Sequence, residues 1–167
     1  MNNQSEEYTN SEKSLEELRE EIEQDFSDNE FKELAIRNVL KKRPSLRKTY
    51  LSIVLINPAR VGEIMERTFI QRKTQYNNLY ELLKINLVKK ISVMDLTQKE
   101  IKNEKLNKEE IKIMSKFKNW TSNMNAGMRR NFQAKTCYWC LSDMGSNPNI
   151  VDFALIMEKK MRAGESE

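Results

Sequence analysis

Residues 59–90 of the chain read ARVGEIMERTFIQRKTQYNNLYELLKINLVKK, and this segment decides the fold. Its first part places three apolar residues at helical spacing: Val61, Ile64 and Met65. Its second part gives another helix a buried face of four apolar residues: Leu79, Leu82, Leu83 and Ile85. Phe69 and Ile70 mark the turn between the two parts. The segment therefore predicts two short helices, a tight turn and the entrance to a strand.

Two helices joined by a tight turn form a helix-turn-helix, in which side chains of the second helix reach base edges. That helix is rich in donors and acceptors suited to bases. The candidate base contacts are Arg72, Lys73, Gln75, Asn77 and Asn78. The candidate phosphate contacts, all basic, are Arg47, Lys48, Lys84, Lys89, Lys90, Arg129 and Arg130. The predicted partner is double-stranded DNA.

The net charge of +4 hides an uneven distribution along the chain. Residues 1–31 contain 11 acidic residues and only Lys13 and Arg19 as bases, whereas residues 41–90 contain 12 basic residues and three acids. A basic body favours a polyanionic partner, and an ordinary lysine-rich solvated surface is the alternative. The same split motivates a hypothesis in which the acidic N-terminal segment covers the basic face and inhibits DNA binding.

Several function classes are disfavoured by composition. The chain has no histidine and only 4 glycines, and neither GxxxxGK nor GxGxxG occurs. We therefore expect no enzyme activity, no cofactor and no metal site. No run approaches the roughly 18 apolar residues that span a bilayer, and the N-terminus does not resemble a signal peptide. The expected location is the cytoplasm, in association with the nucleoid.

The flanking segments suggest further elements. Residues 1–13 are predicted to be disordered, and residues 14–44 to form an acidic, amphipathic helical extension that begins with a Ser14/Glu17 capping box and ends at Pro44. Residues 45–145 form the predicted DNA-binding domain. Residues 146–167 are predicted to be a C-terminal helix and short tail, whose apolar face either pairs with a second copy or packs on its own domain.

Two strands are predicted on either side of a long insertion, at residues 88–94 and 136–143. The intervening residues 95–135 are interpreted as an inserted helix because five apolar residues recur at helical intervals: Leu106, Ile111, Met114, Phe117 and Trp120. Arg129 and Arg130 lie near the end of this insertion. They are predicted to reach the minor groove from a wing tip.

These motifs resemble winged helix-turn-helix proteins of the ArsR-like and MarR-like kind, particularly archaeal regulators. Residues 57–65 resemble the supporting helix and residues 71–85 the recognition helix. The series Leu79, Leu82, Asn86, Leu87, Val88 follows the family frame, with Asn86 where glycine is usual; asparagine also tolerates the left-handed conformation. Leu141, Ser142 and Gly145 resemble the motif that closes the wing.

The resemblance covers about residues 45–94 and 136–160. It implies a mainly α fold with a small β-hairpin: a winged helix-turn-helix with an N-terminal helical extension, a helical insertion in the wing and a C-terminal helix. It also implies a dimeric transcriptional regulator that binds DNA in a sequence-dependent manner. A protein-interaction adaptor on the same scaffold and a non-specific chromatin or replication-associated DNA-binding protein are the alternatives.

Cys137 and Cys140 have CxxC spacing, which is found in zinc sites and redox dithiols. The pair supplies only two of the four ligands that zinc needs, and the chain contains no histidine. Within a strand, residues three apart point to opposite faces. We therefore interpret both cysteines as structural, and interpret Trp120 and Trp139 as core or wing-support residues.

Overall fold

A computed structural model describes residues 14–21 and 30–164, which are mainly helical with one small antiparallel sheet. The chain divides into two compact units, residues 1–39 and 40–167. In the first unit, residues 14–21 are helical, in agreement with the predicted extension. The predictions for residues 1–13, and for Ile22 and Phe26 in the amphipathic pattern, lie outside the described residues.

The helices are α1 (Phe31–Lys42), α2 (Pro44–Ile56), α3 (Val61–Thr68), α4 (Arg72–Lys84), α5 (Val93–Ile101), α6 (Lys108–Trp120), α7 (Ala126–Lys135) and α8 (Pro148–Arg162). The strands are β1 (Val88–Ser92) and β2 (Cys137–Leu141). Pro44 occupies the first turn of α2, where its missing N–H has no helical partner to lose. The predicted break at Pro44 is therefore the junction between α1 and α2.

Helix α2 is the centre of the second unit. Leu46, Tyr50 and Ile53 on α2 are completely buried, and α3, α4 and α8 all pack against it. Only three residues separate α3 from α4, and the first of them, Phe69, has a left-handed backbone with φ of 57°. That short connection agrees with the predicted turn.

Strands β1 and β2 pair antiparallel, with Val88 opposite Leu141 and Ser92 opposite Cys137. On the other edge of β2, Trp139 exchanges two backbone hydrogen bonds with Ala59, at 2.7 and 2.9 Å. Asn86 has φ of 63°, so the predicted left-handed residue at the end of α4 is confirmed. Both strands are shorter than predicted, and β1 ends early because Val93 begins helix α5 immediately after it.

The insertion contains three helices, α5, α6 and α7, where the sequence pattern predicted one. Asparagine side chains begin two of them: Asn107 Oδ1 accepts from Glu110 N at 2.8 Å, and Asn125 Oδ1 accepts from Met128 N at 2.8 Å. Such N-caps satisfy backbone donors that a continuous helix would use internally. Within α6 the predicted apolar spacing was partly correct: Met114 and Phe117 are buried, whereas Ile111 is 55% exposed.

The inserted helices have a hydrophobic cluster of their own, built against one face of β2. Its buried members are Val93, Leu96, Ile113, Met114, Phe117, Tyr138 and Cys140. Lysines of α6 tie the insertion to the loop before α3: Lys112 Nζ donates to Asn57 O at 3.1 Å, and Lys116 Nζ donates to Pro58 O. The insertion is therefore an integral layer of the domain, and the strands have no simple connecting tip.

Helix α8 packs on α2 along a stripe of every fourth residue: Ile150, Ala154 and Glu158 are buried. This agrees with the interpretation that the C-terminal helix folds back on its own domain. Leu155 and Ile156 remain exposed, and the dimer stays a prediction. Within the described ranges, no helix has the length and apolar character required to cross a membrane.

Candidate nucleic-acid interface

Helix α4 has one buried face and one exposed polar face. Gln75, Asn78, Leu79 and Leu82 are buried against the rest of the domain. On the opposite side, four exposed residues follow one another at intervals of three or four positions. We call this set the α4 stripe: Lys73, Asn77, Tyr80 and Lys84. The stripe contains no acidic residue, and it presents donors and an aromatic ring along about 16 Å of helix.

Gln75 and Asn78 belong to a buried hydrogen-bond network, which corrects the prediction that they contact bases. Gln75 Nε2 and Asn78 Nδ2 donate to Thr49 Oγ1 at 2.7 and 3.1 Å. Thr68 Oγ1 donates to Gln75 Oε1 at 2.7 Å, and Asn78 Nδ2 also donates to Ser45 Oγ at 2.9 Å. The network joins α2, α3 and α4, so these amides orient the helix that carries the α4 stripe.

Arg47 is also buried, so its predicted phosphate contact is corrected. Its Nε lies 3.1 Å from Glu158 Oε1, and its Nη1 donates to Leu40 O at 2.9 Å. Only 2% of Arg47 and 5% of Glu158 is exposed. The guanidinium links α1, α2 and α8 within the core and is directed away from solvent.

The other predicted phosphate contacts are exposed, but they lie on different elements, and one of them already pairs with an acidic residue. Lys89 Nζ lies 2.8 Å from Glu109 Oε1, and this hydrogen bond raises the pKa of Lys89. Lys48 lies on α2 and lines a different cavity from the residues beside the stripe. Arg129 and Arg130 are exposed on α7, so they belong to a helix and not to a wing tip.

An open groove of about 520 Å³ runs beside the α4 stripe, and sequence reasoning did not predict it. Its basic residues are Arg60, Arg72, Lys90 and Lys135. Its aromatic residues are Tyr76, Tyr80, Trp120, Phe132 and Trp139. We call this site the aromatic groove. The sequence feature that could have indicated this groove is the repeat of Arg72, Tyr76 and Tyr80 along one side of a helix.

Two of the groove's cations are held against its rings. The Arg60 guanidinium lies 3.8 Å from the centroid of the Trp120 ring. Lys90 Nζ donates to Tyr80 Oη at 2.9 Å, and this hydrogen bond raises the pKa of Lys90. Tyr80 in turn meets Trp139 edge to face, with ring centroids 5.6 Å apart. These contacts preorganise the positive charge and leave Tyr80 48% exposed.

The two cysteines lie on opposite faces of β2, as predicted. Cys137 lines the aromatic groove, whereas Cys140 is buried in the cluster beneath the inserted helices. Both are free thiols. Burial raises the pKa of Cys140 to about 12. Among the residues with described placement, no group of three or more histidine, cysteine or acidic side chains is arranged to hold a metal ion.

We expect a thiol-specific alkylating reagent to modify Cys137 and leave Cys140 unmodified in the native protein. Because burial raises the pKa of Cys140 to about 12, its reactive thiolate is scarce at pH 8 and becomes more abundant as the pH rises. Peptide mass spectrometry after labelling at pH 8 checks this, with denatured protein as the control. Equal native labelling of both cysteines would contradict it.

No protein-family model matches this chain, and searches of the curated proteins and of the solved structures likewise give no match.

Proposed function

We propose that the protein binds double-stranded DNA by inserting helix α4 into the major groove, and that it acts as a transcriptional regulator. The observation that carries the proposal is the division of α4 into two faces. The inner face is held by the Gln75 and Asn78 network, and the outer face presents the acid-free α4 stripe. A helix with this outer face has the diameter that the major groove admits.

The surroundings of α4 support the same proposal. The three-residue connection from α3 is typical of a helix-turn-helix, in which the first helix fixes the angle of the second. Arg72 at the start of α4 is exposed, and so is Lys90 on the adjacent strand. Lys73 and Asn77 would read base edges, while Lys84 and Lys90 would contact phosphates on either side.

A titration of labelled random-sequence duplex DNA at two salt concentrations tests the proposal. We expect the Lys73→Ala/Asn77→Ala/Lys84→Ala variant to bind at least about a hundredfold more weakly than wild type, because each lost base or phosphate contact costs roughly 1–3 kcal/mol. Loss of the Lys84 phosphate contact should also reduce the salt dependence by about one unit of slope. Asn78 is unsuitable for such a variant because it is buried.

The matched control is Gln98→Ala/Lys102→Ala/Lys105→Ala, which removes two exposed lysines and one exposed amide from the end of α5 and the following loop. It changes the net charge by the same amount and should keep wild-type affinity. If both variants bind DNA equally weakly, the loss of affinity comes from the change in net charge and not from the α4 stripe. Absence of salt-sensitive binding by the wild type would overturn the proposal in favour of a protein-interaction adaptor.

Binding as a dimer belongs to the proposal as well. A second copy could pack on the exposed Leu155 and Ile156 of α8, and two-fold symmetry would place two α4 helices in successive major grooves, about 34 Å apart. Sedimentation of the free protein and of its complex with duplex DNA measures the number of copies per site. One copy in both states would rule out the dimer and leave duplex recognition by α4 intact.

A further inference from the structure

Most of the side chains that line the aromatic groove take no part in the proposed duplex contacts. Four cations and five aromatic rings line a cleft of about 520 Å³, and none of the described residues that line it is acidic. A volume of this size lies within the range of about 300–1,000 Å³ that is typical of ligand sites. The groove therefore suits a ligand that is both anionic and aromatic.

The basic side chains of the groove differ in whether they already have partners within the protein. Arg60 is occupied by Trp120 and by Glu63, whose Oε1 lies 3.6 Å from Arg60 Nε. In contrast, Arg72 and Lys135 are exposed cations at which the structure shows no ion pair or side-chain hydrogen bond within residues 30–164. Arg72 and Lys135 are thus the groove's available anion-binding groups.

The aromatic side chains of the groove differ in how much of each residue is exposed. Trp139 is 1% exposed and forms the floor, whereas Tyr80 is 48% exposed and Tyr76 is half-buried one helical turn before it. Trp120 is half-buried with Arg60 over its ring, and Phe132 meets it edge to face at 5.1 Å. Rings with an exposed face beside unpaired cations are the combination that holds bases and phosphates of an unpaired strand.

We propose that the aromatic groove binds a short stretch of single-stranded nucleic acid. Bases stack on Tyr76 and Tyr80, and backbone phosphates lie on Arg72 and Lys135. The groove is partly open to solvent, so a strand can reach it. The groove shares Tyr80 with the α4 stripe, but Arg72, Tyr76 and Lys135 lie outside the stripe, so strand binding does not require duplex binding.

The chain's two tryptophans, Trp120 and Trp139, both line the groove, so their fluorescence reports on its occupancy. The probe is an oligothymidylate of about eight nucleotides, a length within the usual site sizes. We expect saturable quenching that weakens as salt rises. A Tyr76→Ala/Lys135→Ala variant retains both tryptophans and should bind at least about tenfold more weakly, because it loses a stacking ring and a phosphate contact.

The matched control is Phe69→Ala/Lys105→Ala, which removes one exposed ring and one exposed lysine outside the groove and should bind as wild type. Absence of quenching by the oligomer would overturn the proposal, as would equal losses in the two variants. Thymidine monophosphate binding as tightly as the oligomer would also overturn it. If the Lys73/Asn77/Lys84 variant fails to affect duplex binding while the oligomer still binds, only the proposed function falls.

Discussion

A Gly145→Ala variant is expected to lose about 3 kcal/mol or more of its free energy of unfolding. A Cβ atom at position 145 would lie 1.9 Å from Leu87 O and 2.9 Å from Leu87 C. Both are backbone atoms, so no side-chain rotation can relieve the overlap. Overpacking of ordinary core positions costs about 1–3 kcal/mol, and a clash with fixed backbone belongs at the upper end or beyond.

The backbone around Gly145 has little room to move. Leu87 O accepts from Ser142 N at 3.1 Å, and Gly145 N donates to Ser142 Oγ at 3.0 Å. On the other side, Tyr50 Oη donates to Gly145 O at 2.6 Å in the core. Any shift that accommodates the methyl group must break one of these buried hydrogen bonds. Gly145 thereby lets the end of β2 approach the end of α4, which positions the α4 stripe relative to the sheet.

Urea denaturation monitored by tryptophan fluorescence measures the loss, and Gly127→Ala is the matched control. A Cβ at Gly127 meets nothing closer than Asn125 Oδ1 at 3.5 Å, and the residue lies in the first turn of α7. Alanine there should be neutral or stabilise the protein by up to about 1 kcal/mol, because glycine is a poor helix former. Similar unfolding midpoints for the two variants would show that position 145 tolerates a side chain.

The sequence was informative wherever one face of an element is apolar and the other polar. The two helices and the turn within residues 59–90, and the left-handed Asn86, follow from local patterns, and the structure confirms them. The insertion was misjudged because helical spacing continues across short breaks. Asn107 followed by Glu110 is a capping box that marked one of those breaks in the sequence itself.

The candidate site was only partly predictable because the same residue types serve both surfaces and cores. Gln75 and Asn78 carry the amides that suit adenine, yet Thr49 and Thr68 lie where they can satisfy these groups internally. Helical phase separates the two cases: in α4, Lys73 and Asn77 lie opposite Leu79 and Leu82, whereas Gln75 and Asn78 lie on the same side as these leucines. The phase of each amide relative to the leucines therefore distinguishes the buried amides from the exposed one.

The aromatic groove could not be predicted from local sequence patterns. Its lining comes from the loop before α3, the flank of α4, the two strands and the inserted helices. Arg60 and Trp120 are 60 positions apart in the chain and 3.8 Å apart in space. Only the packing of the insertion against the loop before α3 and the strand β2 brings these residues together, and no spacing rule relates them.

The second large effect concerns the buried pair of Arg47 and Glu158. We expect Arg47→Ala to lower the free energy of unfolding by about 3–5 kcal/mol. The substitution leaves the Glu158 carboxylate in the core with Arg162 as its neighbouring cation, at 3.6 Å, and Arg162 itself is 79% exposed. It also removes the donor to Leu40 O near the end of α1. A loss of this size should lower the melting temperature by roughly 6–20 °C in a chain of this length.

Arg47→Met/Glu158→Leu should recover most of that stability, because an apolar pair of similar volume removes the uncompensated buried charge. Lys48→Ala, the exposed neighbour on the same helix, should change stability by no more than about 0.5 kcal/mol and serves as the control. Calorimetry of the four proteins compares them directly. A single variant as stable as the wild type would mean that the pair contributes nothing to the fold.

The apolar double variant also decides whether Arg47 has any role at the DNA surface. If Arg47 acts only within the core, the folded Arg47→Met/Glu158→Leu protein should bind duplex DNA with the wild-type affinity and salt dependence. A phosphate contact by Arg47 would instead appear as a lower affinity and a salt dependence reduced by about one unit of slope. Because the guanidinium is buried between α2 and α8, we expect the first result, with phosphate binding left to exposed lysines such as Lys84.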